Sequence, residues 1–283
     1  MQLITDQTGL RKQIADWRFN GYRIAFVPTM GNLHAGHLSL VNKAKQLADK
    51  VVTSIFINPL QFDNPDDLTA YPRTLDQDSQ LLSEQGCDAV FVPKINEIYT
   101  HGMAAQTKVS VPVVTDKLCG SYRPGHFDGV ATVVLKLFNM VQPDSAIFGE
   151  KDFQQLLLIR KMVADLNLPI DIVSGETVRE ADGLAMSSRN QYLDRQQRSL
   201  APKLYEQLLL IKQQIIAGEY DFNLLRQHAV THLQALGFEP DYVDICRESD
   251  LERAQKGDKC LRIFVAARLG QARLIDNIAC YLA

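Results

Sequence analysis

The sequence predicts an α/β fold, a doubly wound parallel sheet followed by a smaller α+β domain. Three observations carry that reading. Short, nearly unbroken apolar runs alternate with segments of helical periodicity as far as about residue 176. A glycine-containing turn separates the first of those runs from the helix that follows it. Beyond 176 the order changes to helices and then strands, which belongs to a separate α+β unit.

The elements follow in order. Leu10, Ile14 and Trp17 recur at helical spacing in MQLITDQTGLRKQIADWRFN, which predicts an amphipathic helix with none of the marks of a cleaved signal. Tyr22–Val27 (YRIAFV) is a strand broken by Pro28. The turn TMGNLHAGH follows, then a helix through Leu38, Val41, Ala44 and Leu47. Val51–Ile57 (VVTSIFI) is a second strand, and β-turn-α-β order makes a parallel pair with a crossover helix. A helix over Asp76–Gln85 precedes a third strand at Ala89–Val92. A long apolar helix, His126–Val141, leads to a strand at Ser145–Phe148. A helix over Phe153–Leu166 and a strand at Ile170–Val173 complete five alternating parallel strands. TKVSVPVV (107–114) reads as an extra strand outside the alternation. In the second part, helices Gln196–Ile216 and Phe222–Leu236 precede strands around Asp241–Cys246, Arg262–Ala267 and Ala272–Tyr281.

Composition narrows the function. A chain of 283 residues suits two domains at about 150 residues each. With 46% hydrophobic and 22% charged residues there is no room for long disorder. Thirty Lys and Arg against 33 Asp and Glu give a net charge of −3, so nothing suggests a nucleic-acid or anionic-membrane partner. The five cysteines, widely spaced and without a CxxC, argue against a disulfide framework or structural zinc and fit a reducing compartment. No apolar stretch approaches the roughly 20 residues needed to span a bilayer, so a cytoplasmic location is expected.

In an open parallel sheet, ligands bind beyond the carboxyl ends of the strands, beside the point where strand order reverses. Pro28–His37 occupies that position. Gly31 and Gly36 have the outer spacing of a P-loop, but His37 and Leu38 stand where a P-loop has Lys and Ser or Thr, and GxGxxG is absent. The turn therefore suits phosphate without suiting γ-phosphoryl transfer. His34 and His37, three residues apart at a helix start, share one face. Phosphate binding, a metal pair lacking a third ligand, and a helix-cap role all remain open for them. Unaided, Lys151 between Glu150 and Asp152 is a surface charge pattern. Gln61 and Gln155 are surface amides, Met186-Ser187-Ser188-Arg189 is a turn or cap, and Asp76 and Asp78 are solvated helix charges.

The string PTMGNLHAGH changes that balance. It resembles the HxGH signature of the nucleotidylyl-transferase superfamily in the form found in the pantothenate synthetase (pantoate–β-alanine ligase) family. FINPLQF (56–62), YPRT (71–74), RPGHF (123–127), FGEKDFQQ (148–155), TVREADGLAMSSRN (177–190) and ARLGQARLIDNIA (267–279) are similar to that family in the same order. The resemblance thus covers almost the whole chain, and the closing LIDNIACYLA is similar to the shorter bacterial members.

The resemblance implies a Rossmann-like ATP- and pantoate-binding catalytic domain over 1–176 and a smaller α+β lid domain over 177–283. It implies that ATP and pantoate form pantoyl adenylate, which β-alanine captures to give pantothenate, AMP and pyrophosphate. Met30, Gly31, Asn32, Leu33, His34, Ala35, Gly36 and His37 would bind ATP, with His34 and His37 stabilising the reacting phosphate. Gly149, Glu150, Lys151 and Asp152 would bind the nucleotide, Lys151 on the phosphates. Val178 would contact adenine, and Met186, Ser187, Ser188 and Arg189 would form the KMSKS-type loop on a mobile linker. Gln61 and Gln155 would hold pantoate, Gln61 also lying at the β-alanine position. Magnesium would arrive with ATP, with Asp78 as a contact, and the protein would be a homodimer. Arg123 and His126, in RPGHF, would line the cleft without being catalytic, a cap or packing role being equally open for His126. The rival readings are a nucleotidylyl transferase that stops at attaching AMP or CMP, and a nucleotide-binding regulatory or RNA-associated protein.

Overall fold

The computed structural model describes residues 1–62 and 65–282, with Pro65 and Asp66 described by backbone alone. Six parallel strands, β1 (Gln2–Ile4), β2 (Ile24–Thr29), β3 (Lys50–Ile55), β4 (Ala89–Phe91), β5 (Ser145–Gly149) and β6 (Asp171–Gly175), form one sheet in the order β1-β4-β3-β2-β5-β6. The chain leaves β2 for β3 and β4 on one side, then returns to β5 and β6 on the other. Phe26 accordingly pairs with Val52 in one direction and with Ala146 in the other. Strand order reverses beside β2.

Ile24, Ala25, Phe26 and Val27 are wholly buried, which is why a central strand covered on both faces reads as an unbroken apolar run. Ala25 and Val27 pack with Val41 and Ala44 of the helix Ala35–Leu47. Phe26 meets Phe138 of the helix His126–Val141 edge to face on the other side, with ring centroids 6.3 Å apart. The N-terminal helix runs over Gln7–Phe19 with Leu10, Ile14 and Trp17 buried, as their spacing predicts.

Three expectations need correction. The sheet has a sixth strand, β1. Only Ile4 of its three residues is buried, so an edge strand this short leaves no periodic signal. TKVSVPVV is not a strand. Pro112 removes a ladder donor, Val113 has φ +79°, and the Val109 N–H goes to the Thr132 hydroxyl at 2.9 Å. The helix expected over Gln196–Ile216 is two helices, Arg195–Leu200 and Lys203–Ile216, interrupted at Pro202.

The chain divides into two compact units. One comprises Met1–Thr115, Arg123–Glu150 and Gln155–Glu176; the other comprises Asp116–Tyr122, Lys151–Gln154 and the chain from Thr177. In the second unit β7 (Glu239–Arg247), β8 (Cys260–Leu269) and β9 (Ala272–Tyr281) form an antiparallel sheet. Leu208, Ile211, Leu225 and Leu233, from the helices Lys203–Ile216 and Phe222–Ala235, cover Ile263, Val265 and Leu274 on one of its faces.

Candidate active site

The turn after β2 is built around a buried carboxylate. Thr29, the last strand residue, donates its hydroxyl to the Ser54 carbonyl at 2.7 Å and accepts the Gly31 N–H at 3.2 Å. Gly31 has φ +83°, and a Cβ there would stand 3.0 Å from Ile55 Cγ2 and 3.1 Å from Asp78 Oδ2, so the position requires glycine. Asp78, 1% exposed on the helix Leu75–Glu84, accepts the Asn32 N–H at 2.9 Å and the Leu33 N–H at 2.8 Å, one on each oxygen. The Thr74 hydroxyl adds a third donor at 3.1 Å. This corrects the expectation for Asp78. It is a clamp on the turn and not a solvated helix charge, whereas Asp76 is exposed as expected. Among the described residues no three His, Cys, Asp or Glu side chains group as metal ligands.

His34 is the N-cap of the helix Ala35–Leu47, its Nδ1 accepting the Gly36 N–H at 3.1 Å. His37 reciprocates, with Nδ1 accepting the His34 N–H at 3.4 Å, and the two rings lie 4.1 Å apart. Each Nδ1 is therefore an acceptor, which places the proton of each neutral imidazole on Nε2. The capping role and the phosphate role are compatible. The cap uses one nitrogen and fixes the other as a donor at the carboxyl end of β2.

Gln61 ends the short turn Pro59–Gln61. Its carbonyl accepts Arg123 Nη2 at 2.7 Å and His126 Nδ1 at 2.9 Å. Because a carbonyl only accepts, His126 carries its proton on Nδ1, and Nε2 receives Arg123 Nη1 at 3.2 Å. Asn58, fully buried three residues earlier, accepts the Tyr99 hydroxyl at 2.7 Å and donates to the Gly129 carbonyl at 3.1 Å. The sequence reading missed Asn58, and it expected Arg123 and His126 along the cleft, with a cap or packing role open for His126. An asparagine inside the apolar run FINPLQF was the available signal for the first, since a buried amide needs partners.

Gly149 closes β5, and Glu150–Asp152 make one 3-10 turn before the helix Phe153–Asp165. Gly149, Glu150 and Gln155 belong to the first unit, whereas Lys151 and Asp152 belong to the second. Lys151 is half-buried with its Nζ 3.9 Å from Asp152 Oδ2. Gln155 is half-buried in the first turn of the helix, and the preceding Gln154 turns instead to the Cys119 N–H and the Lys117 carbonyl.

Residues 178–186, which lead into the loop expected at Met186–Arg189, form a hydrogen-bonded hairpin. The Met186 N–H reaches the Val178 carbonyl at 3.0 Å, the Glu180 N–H reaches the Leu184 carbonyl at 2.8 Å, and Arg179 bridges to Ala185. Ser187 then caps the turn Ser188–Tyr192 by accepting the Arg189 N–H at 3.2 Å. Arg198 ties the hairpin to the next helix through Asp182 and Glu180, both at 2.6 Å, and its hydrogen bond holds the Asp182 carboxyl below the usual range.

A parallel sheet whose order reverses beside a pair of helix-capping histidines, with GEKD following the neighbouring strand, defines a nucleotide-binding α/β enzyme. The family profile for pantoate-beta-alanine ligase matches residues 2–279, and the chain belongs to that family. Pantothenate synthetase of Azotobacter vinelandii is 56% identical over 97% of each chain. That of Pseudomonas aeruginosa is 55% identical over 96% of each. Among solved structures, pantothenate synthetase from Thermus thermophilus superimposes with a TM-score of 0.93 at 42% identity over the full length of both chains. Pantoate-beta-alanine ligase from Francisella tularensis, solved with beta-gamma ATP and beta-alanine, superimposes with 0.83 at 35% identity, covering 98% of this chain and 97% of that one.

Proposed function

We infer that this pantoate–β-alanine ligase works in two steps. In the first, a pantoate carboxylate oxygen attacks the α-phosphorus of ATP, the bond to the pyrophosphate oxygen breaks, and pantoyl adenylate forms. In the second, the neutral amine of β-alanine attacks the acyl carbon, a C–N bond forms, and AMP leaves as the amine gives up a proton. A carboxylate is a poor electrophile, whereas its mixed anhydride with AMP carries a stable leaving group.

The observation that carries this reading is the reciprocal capping of His34 and His37. Two Nε2–H donors held by their own helix need no reorganisation as charge builds on the phosphate, and a preorganised donor of this kind contributes about 10²–10³ in rate. Met30 to His37 serve the nucleotide, as do Gly149 to Asp152, with the Lys151 ammonium on its phosphates. Ser187, Ser188 and Arg189 provide two hydroxyls and a guanidinium to the triphosphate, with Met186 and Val178 beside the nucleotide. Gln61 and Gln155 serve pantoate, since an amide can both donate to a carboxylate and accept from hydroxyls. Gln61 serves β-alanine as well.

Magnesium enters as part of the ATP substrate, held by phosphate oxygens. The engagement of Asp78 with the turn supports that reading over a protein-held ion. The family resemblance supports a homodimer. A cytoplasmic location accords with five free thiols, of which burial pushes Cys246 up to about 12.

The test is to mix protein, ATP, magnesium and pantoate without β-alanine. Pyrophosphate and enzyme-bound pantoyl adenylate should appear in step, and AMP and pantothenate should follow on adding β-alanine. Pyrophosphate that appears only once β-alanine is present would rule out the separate adenylate.

A further inference from the structure

Two consecutive residues of β9 hold both phosphate-reading segments of the second unit. Side chains alternate across a strand, so Asp276 and Asn277 serve opposite faces of the small sheet. On one face Asn277 donates Nδ2–H to the Lys151 carbonyl at 2.9 Å. Its Oδ1 accepts Arg262 Nη1 at 2.7 Å, and Arg262, itself held by Glu248, lies 3.7 Å over the Phe153 ring. Lys151 therefore stands on a platform two residues before a stacked aromatic. On the other face Asp276, 4% exposed, takes both prongs of Arg179 at 2.6 and 2.9 Å. Arg179 also donates to the Gly183 carbonyl at 3.0 Å and stacks 3.6 Å over Tyr205. That contact closes the hairpin leading directly into Ser187–Arg189.

We propose that Asp276 and Asn277 are positioning residues for the adenylation step: Asn277 sets where Lys151 stands, and Asp276, through Arg179, sets the hairpin that delivers Ser187, Ser188 and Arg189. The proposal rests on the reading of those four residues as ATP ligands. Stability alone does not account for the arrangement, because an apolar pair of similar volume commonly stabilises as well as a buried ion pair or better. The lysine side chain is long and flexible, so fixing its backbone narrows the volume its ammonium can sample. The Asn277 N–H also donates to Asp276 Oδ1 at 2.7 Å, which couples the two anchors.

The decisive variant is Asn277→Asp. It keeps the side-chain shape and the acceptor for Arg262 but turns the donor facing the Lys151 carbonyl into an acceptor. Pyrophosphate release by the full-length protein is measured with ATP and pantoate varied separately. The expected result is an ATP KM raised about tenfold or more, because small misplacements of a binding group cost that much. The pantoate KM and Tm should stay near those of the parent. An unchanged ATP KM, or both KM values rising together with a lowered Tm, overturns the Asn277 assignment. Asp276→Asn would strand a buried guanidinium, so the second anchor is tested with Arg179→Lys, which keeps the charge and loses the two-pronged grip. A raised ATP KM with normal pantoate KM supports it, and an unchanged ATP KM overturns it. Lys151→Ala, assayed in parallel, separates the levels. If it leaves ATP use intact, the reading of Lys151 as a phosphate ligand fails. If it impairs ATP use while Asn277→Asp does not, only the positioning role fails.

Discussion

At His34 and His37 one hydrogen bond each fixes both the helix start and the ring's tautomer. Each imidazole uses Nδ1 to satisfy a backbone N–H at a helix start, where such groups lack partners, and the same bond decides the tautomer. Replacing His37 with Ala should lower the rate of pyrophosphate release about 10²–10³-fold. The stability lost with the capping bond should be only about 1 kcal/mol, so the variant should remain folded by circular dichroism. A folded variant releasing pyrophosphate at the parent rate would contradict the assignment. The two glutamines call for a different readout. Gln61→Ala and Gln155→Ala should each raise the pantoate KM more than the ATP KM, and equal effects on both substrates would count against their pantoate-binding roles.

Secondary-structure elements deliver these residues through a few close contacts. Gly129, in the first turn of the helix His126–Val141, packs so tightly on the Leu60 backbone that an added Cβ would collide with the Leu60 carbonyl. Since that helix also carries His126, which grips the Gln61 carbonyl, Gly129→Ala should displace the 58–61 turn. The expected outcome is a lowered Tm together with a raised pantoate KM; a normal pantoate KM would show that the turn tolerates the shift. The amino ends of β2 and β5 are tied by Asp144, which accepts the Ile24 N–H at 2.6 Å and Arg18 at 2.8 and 2.9 Å. Burial pushes this carboxyl up, but the Arg18 and Ile24 hydrogen bonds and the charges of Arg18 and Arg23 outweigh it and leave it below the usual value. A lowered carboxyl binds its proton less readily folded than unfolded. The stability it contributes is therefore present above the ordinary Asp value and is lost as pH falls through the lowered one. Urea midpoints followed from about pH 6 to pH 3 should fall less steeply for Asp144→Asn than for the parent, and parallel curves would refute the linkage.

At the scale of the whole molecule, legibility followed the length and periodicity of each signal. The helix His126–Val141 and the strand Ala272–Tyr281 occupy the residues that the sequence pattern predicts, because long apolar stretches bounded by Gly, Pro or polar residues leave little choice. β1 escaped notice because three edge residues carry no period, and TKVSVPVV misled because Val111 and Val114 are buried from an irregular segment. The motifs PTMGNLHAGH, FGEKDFQQ and LAMSSR named the candidate residues directly. Their partners were not legible, since Asp78, Arg123, Asp276 and Asn277 lie far along the chain from the groups they hold. If the 184–190 segment takes up ATP phosphates, its amides should exchange hydrogen more slowly once ATP is added. Unchanged exchange would remove Ser187, Ser188 and Arg189 from the proposed ligands.

The amino-acid sequence alone determined the alternating α/β order, the change of pattern near residue 176 and the chemical types gathered in each motif, because hydrophobic period and turn chemistry act over a few neighbouring residues. Only the tertiary structure decided that Asp78 clamps the histidine turn, that Arg123 and His126 share the Gln61 carbonyl, and that one strand supports both Lys151 and the Arg179 hairpin. Those facts depend on hydrogen bonds between residues dozens of positions apart, and such bonds become definite only when packing brings a particular donor and acceptor within about 3 Å.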